Sequence, residues 1–174
     1  NFTPQLLPAD PNLATTPLPA VTPTSFASGP ANAPTATVNL AVASHTFMSG
    51  TYQGQTQDSF GGVVYHYATP INLTNLFGAS GMTFSLDSPD TTGLRLEIKD
   101  SQGAVWRALV QDLKSFGQKY HIDLNQIEGI NQASVTELVL VLSGQGTHTL
   151  NIDWGNFNFT PQLLPADPNL ATTP

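Results

Sequence analysis

Residues 94–99 read Leu-Arg-Leu-Glu-Ile-Lys, with apolar and charged side chains in strict alternation. A period of two is strand geometry, because successive side chains leave opposite faces of the backbone. Leu94, Leu96 and Ile98 point to a core, and Arg95, Glu97 and Lys99 point away from it. The same short-period pattern recurs along the chain: at 37–42, 45–52, 62–68, 82–86, 104–110, 120–124 and 147–154. Leu150, Ile152 and Trp154 share the inward phase of the last run. Residues 135–142 are almost continuously apolar, as in a central strand covered on both faces. Turn signals punctuate these runs, among them Asp100-Ser-Gln-Gly103 and Ser143-Gly-Gln-Gly146. Short helical turns are expected only at 72–78 and 124–131. No amphipathic helices of 10–15 residues separate the strands, which excludes a doubly wound α/β fold. The pattern predicts an all-β chain, an antiparallel β-sandwich of roughly nine or ten strands.

The ends differ from the middle. Residues 1–17 and 158–174 are identical, NFTPQLLPADPNLATTP, at an offset of 157 residues. Twelve of the 14 prolines fall in 1–34 and 161–174. Proline fixes φ and lacks a donor, so these stretches cannot run as helix or central strand. Extended, polyproline-like chain is the expectation there. Three segments follow: a Pro/Thr-rich linker or docking segment at 1–35, a sandwich domain at 36–157, and at 158–174 the start of a next repeat. A plain spacer does not need Phe2, Leu6 and Leu7, or their copies Phe159, Leu163 and Leu164. These six predict a segment that docks on its own domain or on a neighbouring copy.

Composition narrows the function. Five Lys/Arg stand against 12 Asp/Glu, a net charge of −7, which argues against nucleic acid as a partner. No apolar run reaches the ~18–20 residues of a membrane span, and no signal-peptide pattern opens the sequence. With no cysteine, disulfides, zinc-thiolate sites and thiol catalysis are excluded. Only 10% of residues are charged, and Ser, Thr, Asn and Gln carry the polarity, a bias that suits an extracellular or cell-surface β-protein. No G-x-S-x-G, H-E-x-x-H or P-loop motif occurs, so a non-enzyme is expected.

Several stretches carry a family resemblance. Tyr67-Ala-Thr-Pro-Ile-Asn-Leu73, Met82-Thr-Phe-Ser-Leu86, the hairpin Leu94 to Gly103, Gln118-Lys-Tyr-His-Ile-Asp-Leu124, and the final pair Val135 to Leu142 and Thr149 to Trp154 come in order. Their order and spacing resemble the jelly-roll sandwiches of the galactose-binding-like group, which includes many carbohydrate-binding modules. The resemblance covers just over half of the chain. It implies a jelly roll with a polysaccharide partner. It also implies a structural calcium, with Asp153 matching the last-strand acid and Asp58 as a second carboxylate; no other cofactor is implied.

Sugar binding asks for an aromatic ring under the pyranose and planar polar groups at its hydroxyls. Trp106, beside Arg107 in the returning hairpin strand, is the best platform if it faces the sheet surface. Tyr65 and Tyr67 share one face of their strand and His66 takes the other, so one of those faces is core. The first expectation is a structural or adhesive repeat that joins neighbouring copies through the 17-residue segment into an array or fibre. The alternative is a non-catalytic carbohydrate-binding module.

Overall fold

The computed structural model describes Pro19 and residues 21–30, 32–42, 47–73, 81–87, 93–111 and 118–154. The repeated end segments, with Phe2, Leu6, Leu7, Phe159, Leu163 and Leu164, lie outside the described residues. Ten strands form: β1 (Thr24–Ala27), β2 (Ala36–Val42), β3 (Phe47–Gly54), β4 (Phe60–Ile71), β5 (Gly81–Asp87), β6 (Gly93–Asp100), β7 (Val105–Gln111), β8 (Gln118–Asp123), β9 (Val135–Ser143) and β10 (Gly146–Trp154). A short 3-10 turn covers Leu124–Gln126. Two five-stranded sheets result, ordered β1-β4-β9-β6-β7 and β2-β3-β10-β5-β8, and every pairing between neighbours is antiparallel. This is the expected all-β sandwich.

The alternation read from the sequence becomes the core. Leu138 and Leu140 of β9 stand opposite Tyr65 and Val63 of β4 on one side, and opposite Ile98 and Leu96 of β6 on the other. All six side chains are buried. From the facing sheet, Ala36, Val38 and Leu40 of β2 and Tyr52 of β3 pack into the same cluster. Fully burying a side chain of this size contributes ~1.5–3 kcal/mol before ordering costs, so truncating one is among the costliest changes available.

One boundary differs from expectation. The 1–35 segment is not all linker: Thr24–Ala27 pairs with Val64 to Gly61 as the edge strand of the first sheet, and Val21 packs against the core. An edge is the one place where proline-rich chain can join a sheet, because its outer donors need no partner. Pro23 precedes this strand and Pro30 follows it. The sandwich therefore begins before residue 36.

Hydrogen-bonded polar groups close the sandwich at both ends. At one end, Ser28 Oγ accepts from Phe60 N at 2.9 Å and bonds Thr35 Oγ1 at 2.7 Å. Ser59 Oγ donates to the Thr35 carbonyl at 2.7 Å, and Gly144 N donates to Ser59 O at 2.8 Å. Tyr52 spans the interior, stacks on His148 with ring centroids 5.8 Å apart, and donates its hydroxyl to Gly144 O at 2.7 Å. Gly54 belongs to this knot because a Cβ there would meet Gly144 O at 2.0 Å. At the other end, Asp100 is buried. Its Oδ1 accepts from Gln102 N and Ala104 N at 2.9 Å, and its Oδ2 accepts from Asn131 N at 2.8 Å. Gln132 Nε2 donates to the carbonyls of Leu124 and Ile127, both at 2.8 Å.

Two predictions follow from these polar groups. Tyr52 and Tyr67 are both buried, yet the Tyr67 hydroxyl has no hydrogen-bond partner among the described residues. Burial, with Tyr65 close by, holds the Tyr67 phenol far above the usual tyrosine range. Tyr52→Phe should cost ~0.5–1.5 kcal/mol, a few degrees in melting temperature for a chain of this length. Tyr67→Phe should leave stability unchanged or raise it, because it removes an unpaired buried group. Thermal unfolding of both variants checks the contrast.

Asp100 gives the second. The Asn131 N–H holds its carboxyl below the usual carboxylate range, against the opposing effect of burial, and the Ala104, Gln102 and Gly103 N–H groups add to this. A lowered folded pKa stabilises above the unfolded value of 3.8 and is lost as pH falls through the folded value. Asp100→Asn should therefore melt earlier than the parent at pH 7. That gap should narrow as pH falls below 3.8 toward the folded value.

Candidate functional site

The outer face of the first sheet is built by register alone. Residues directly opposite on antiparallel strands share a face, and strands lie ~4.8 Å apart. Three rows cross the sheet. The first runs Phe26, Gly62, Val141, Arg95, Leu109; the second Thr24, Val64, Val139, Glu97, Arg107; the third His66, Glu137, Lys99, Val105. Phe60, opposite Ser143, extends the face at one corner. Among the described residues, Phe60 and Leu109 are the large apolar side chains left exposed, at 44% and 46%, and both lie here.

Charge is ordered within these rows. Arg95 Nε and Arg107 Nε approach the same oxygen of Glu97, Oε1, at 2.8 and 3.0 Å. The arginines are about half exposed, and the carboxylate between them only 18%. In the third row Glu137 Oε1 meets His66 Nδ1 at 3.3 Å, and Oε2 meets Lys99 Nζ at 3.5 Å. Each carboxylate thus sits between two basic side chains: Glu137 between His66 and Lys99 of the flanking strands, and Glu97 between Arg95 of its own strand and Arg107 of the next. Planar guanidinium and carboxylate groups beside an exposed phenyl ring can bond hydroxyls and stack an apolar sugar face.

The structure sorts the residues chosen from sequence. Arg107 is on this face and meets Glu97. Tyr65 and Tyr67 are 0% and 4% exposed and belong to the core, so neither offers an open ring; it is the His66 side of β4 that faces out. Trp106 stands opposite Ile98, on the inward side of β7, and packs against the core. Its Nε1 donates to the Gln126 carbonyl at 2.8 Å, so it ties the 124–130 segment down rather than facing the sheet surface. The residues beside Arg107 that the sequence did not single out are Arg95, Glu97, Lys99, Glu137, His66 and Phe60. The Glu97–Arg107 pair could have been found from the 100–103 turn, which sets the hairpin register. The β4–β9–β6 pairings that assemble the rest are non-local and leave no signature in the chain.

Asp58 and Asp153 do not form one metal site. Asp58 is exposed in the turn that precedes Ser59, and Ser59 bonds Gly144 in the turn just before β10. Asp153 lies near the other end of that strand, paired with Phe47 and Ser85. Gly146 to Asp153 spans about 23 Å of extended chain at ~3.3 Å per residue, far beyond the reach of a shared cation with ligands at ~2.3–2.6 Å. Among the described residues no group of three or more His, Asp or Glu is placed to hold a metal ion. The donor set that the resemblance suggested for calcium therefore does not fit.

No protein-family model matches the chain, and no curated protein matches it. Solved structures do. The family 11 carbohydrate-binding module of the cellulosomal cellulase Lic26A-Cel5E of Clostridium thermocellum superposes with a TM-score of 0.58 at 12% identity, covering 82% of this chain and 90% of that one. The family 11 module from the same organism, in complex with a β-1,3-1,4-mixed-linked tetrasaccharide, gives 0.53 at 13% identity, over 76% and 85%. An agarase, AgWH50C, gives 0.57 at 12% identity, over 81% of this chain but only 25% of that one. The chain has the β-sandwich fold of these carbohydrate-binding modules.

Proposed function

We propose that this domain is a non-catalytic carbohydrate-binding module and that it holds polysaccharide on the outer face of the first sheet. The observation that carries the reading is the exposed Phe60 at one corner of a face that also carries Arg95, Glu97 and Arg107. Phe60 lies two strands (~10 Å) across the sheet and two residues (~7 Å) along it from Arg95, ~12 Å in all, a span that two or three sugar rings fill. The fold adds support, since one solved sandwich of this shape carries a tetrasaccharide. Its appearance within an agarase also fits a module that delivers a polymer to chemistry done elsewhere. Such a role belongs outside the cell, in keeping with the cysteine-free, Thr- and Asn-rich sequence, and no described helix is long and apolar enough to cross a membrane.

Affinity electrophoresis tests this directly. The chain should be retarded in gels containing a polysaccharide from a panel of mixed-linked β-glucan, agarose, polygalacturonate and carrageenan. Phe60→Ala should weaken retardation ~3–10-fold, the loss of one stacking contact, without lowering the melting temperature. Retardation by none of these polymers would remove the reading.

A second reading rests on the identical 17-residue ends. If they join units, binding sites are strung in series and weak single sites gain avidity. Light scattering of residues 1–174 against 1–157 checks the joining role. Concentration-dependent growth in mass that disappears with 158–174 is expected; two monomers would leave the segment a spacer.

A further inference from the structure

The chain carries five basic residues, and three of them, Arg95, Lys99 and Arg107, stand together on the outer face of the first sheet. Only two acidic residues, Glu97 and Glu137, share that face among the described residues. Among the described residues the face therefore sums to +1 with His66 neutral, in a chain whose remaining two basic and ten acidic residues sum to −8. A positive surface has been built onto a domain whose other charges are overwhelmingly negative.

The geometry of the cations adds to this. Arg95 and Arg107 each reach Glu97 Oε1 through Nε, which brings the two guanidiniums to within about 6 Å of each other. Both side chains are about half exposed. Glu97 neutralises one of the two charges and fixes both side chains. What remains is a pair of oriented forks carrying one net positive charge. Such forks fit planar or tetrahedral oxyanions bidentately, better than they fit single hydroxyls.

We propose that the sugar recognised here is anionic: the Arg95–Glu97–Arg107 triad binds the carboxylate or sulfate of an acidic polysaccharide, with Phe60 under a ring further along the polymer. The inference rests on the carbohydrate-binding reading and names its ligand class. Non-specific attraction does not favour such a ligand, because the chain's net charge of −7 repels a polyanion overall.

The test uses the full chain and matched polymers: polygalacturonate against its fully methyl-esterified form, and sulfated carrageenan against agarose. The expected result is at least ~10-fold tighter retention by an acidic polymer than by its neutral partner, a difference that shrinks as salt rises. Preference for polygalacturonate assigns a carboxylate, and preference for carrageenan a sulfate. Arg95→Gln with Arg107→Gln should abolish the preference, bringing retention by the acidic polymer down to that by its neutral partner. Because that variant strands the Glu97 carboxylate, a triple variant that adds Glu97→Gln serves as the folded check, with the melting temperature as its control. Equal retention of acidic and neutral polymers overturns the anionic assignment and keeps the sugar-binding reading, as does a preference that survives the triple variant. Retention of none overturns both.

Discussion

Strand β9 pairs with β4 on one side and β6 on the other, and the first sheet takes its register from those two ladders. Because side chains alternate, a slip of one residue in either ladder would send Leu138, Leu140 and Leu142 to solvent and bring Glu137 inside. The cost of exposing three leucines and burying a carboxylate fixes the register firmly. The outer face inherits that register without contributing to its choice. Glu137 lies between His66 and Lys99, and Glu97 between Arg95 and Arg107, because Leu138, Leu140, Leu96 and Ile98 must be inside.

The sheets would still be free to splay at their ends without the two polar knots. Burial alone is non-directional, whereas Ser28, Thr35, Ser59, Tyr52 and Gly144 make directed bonds that tie loops of both sheets. Asp100 plays the corresponding part at the far end, where it organises its own turn and holds Asn131 of the loop before β9. Each knot anchors one end of β9, so the strand that sets the register is also the one most tightly held. A rigid sheet face is what a positioned set of guanidiniums requires.

Local patterns were legible in the sequence, and non-local ones were not. The alternation of Leu94 to Lys99 and the Asp100 to Gly103 turn gave the β6–β7 hairpin nearly to the residue. The apolar run 135–142 gave a central strand, but its outer face is only partly covered: Val141 is 4% exposed, while Glu137 meets solvent and cations. β1 was hidden by its prolines, because an edge strand needs only one side of its ladder and so tolerates a composition that reads as linker. Trp106 misled for a physical reason. A large aromatic in a strand with an apolar partner every second residue could face either way, and its inward placement depends on the 124–130 segment that covers it and accepts its N–H. The candidate site was legible only in part: Arg95, Glu97, Lys99 and Arg107 share the β6–β7 hairpin, but Glu137 and His66 reach them through the non-local pairings of β9 and β4.

Stability does not explain why those groups are there. Exposed ion pairs contribute ~0–1 kcal/mol each, and a polar face of Ser and Thr would serve the sandwich as well. The chain uses that option elsewhere: β2 and β3 present Thr37, Asn39, Thr51 and Gln53 to solvent with no ion pair among the described residues. A sequence that is 10% charged and nevertheless places three of its five basic residues on one face has concentrated a scarce residue type. Glu97 sharpens the point. A pair of unaccompanied arginines would repel each other and wander, whereas a half-buried carboxylate between them holds both forks in place at the cost of one charge. That trade lowers the field of the face but fixes its geometry, and fixed geometry is worth more to recognition of a ligand than to the fold that carries it.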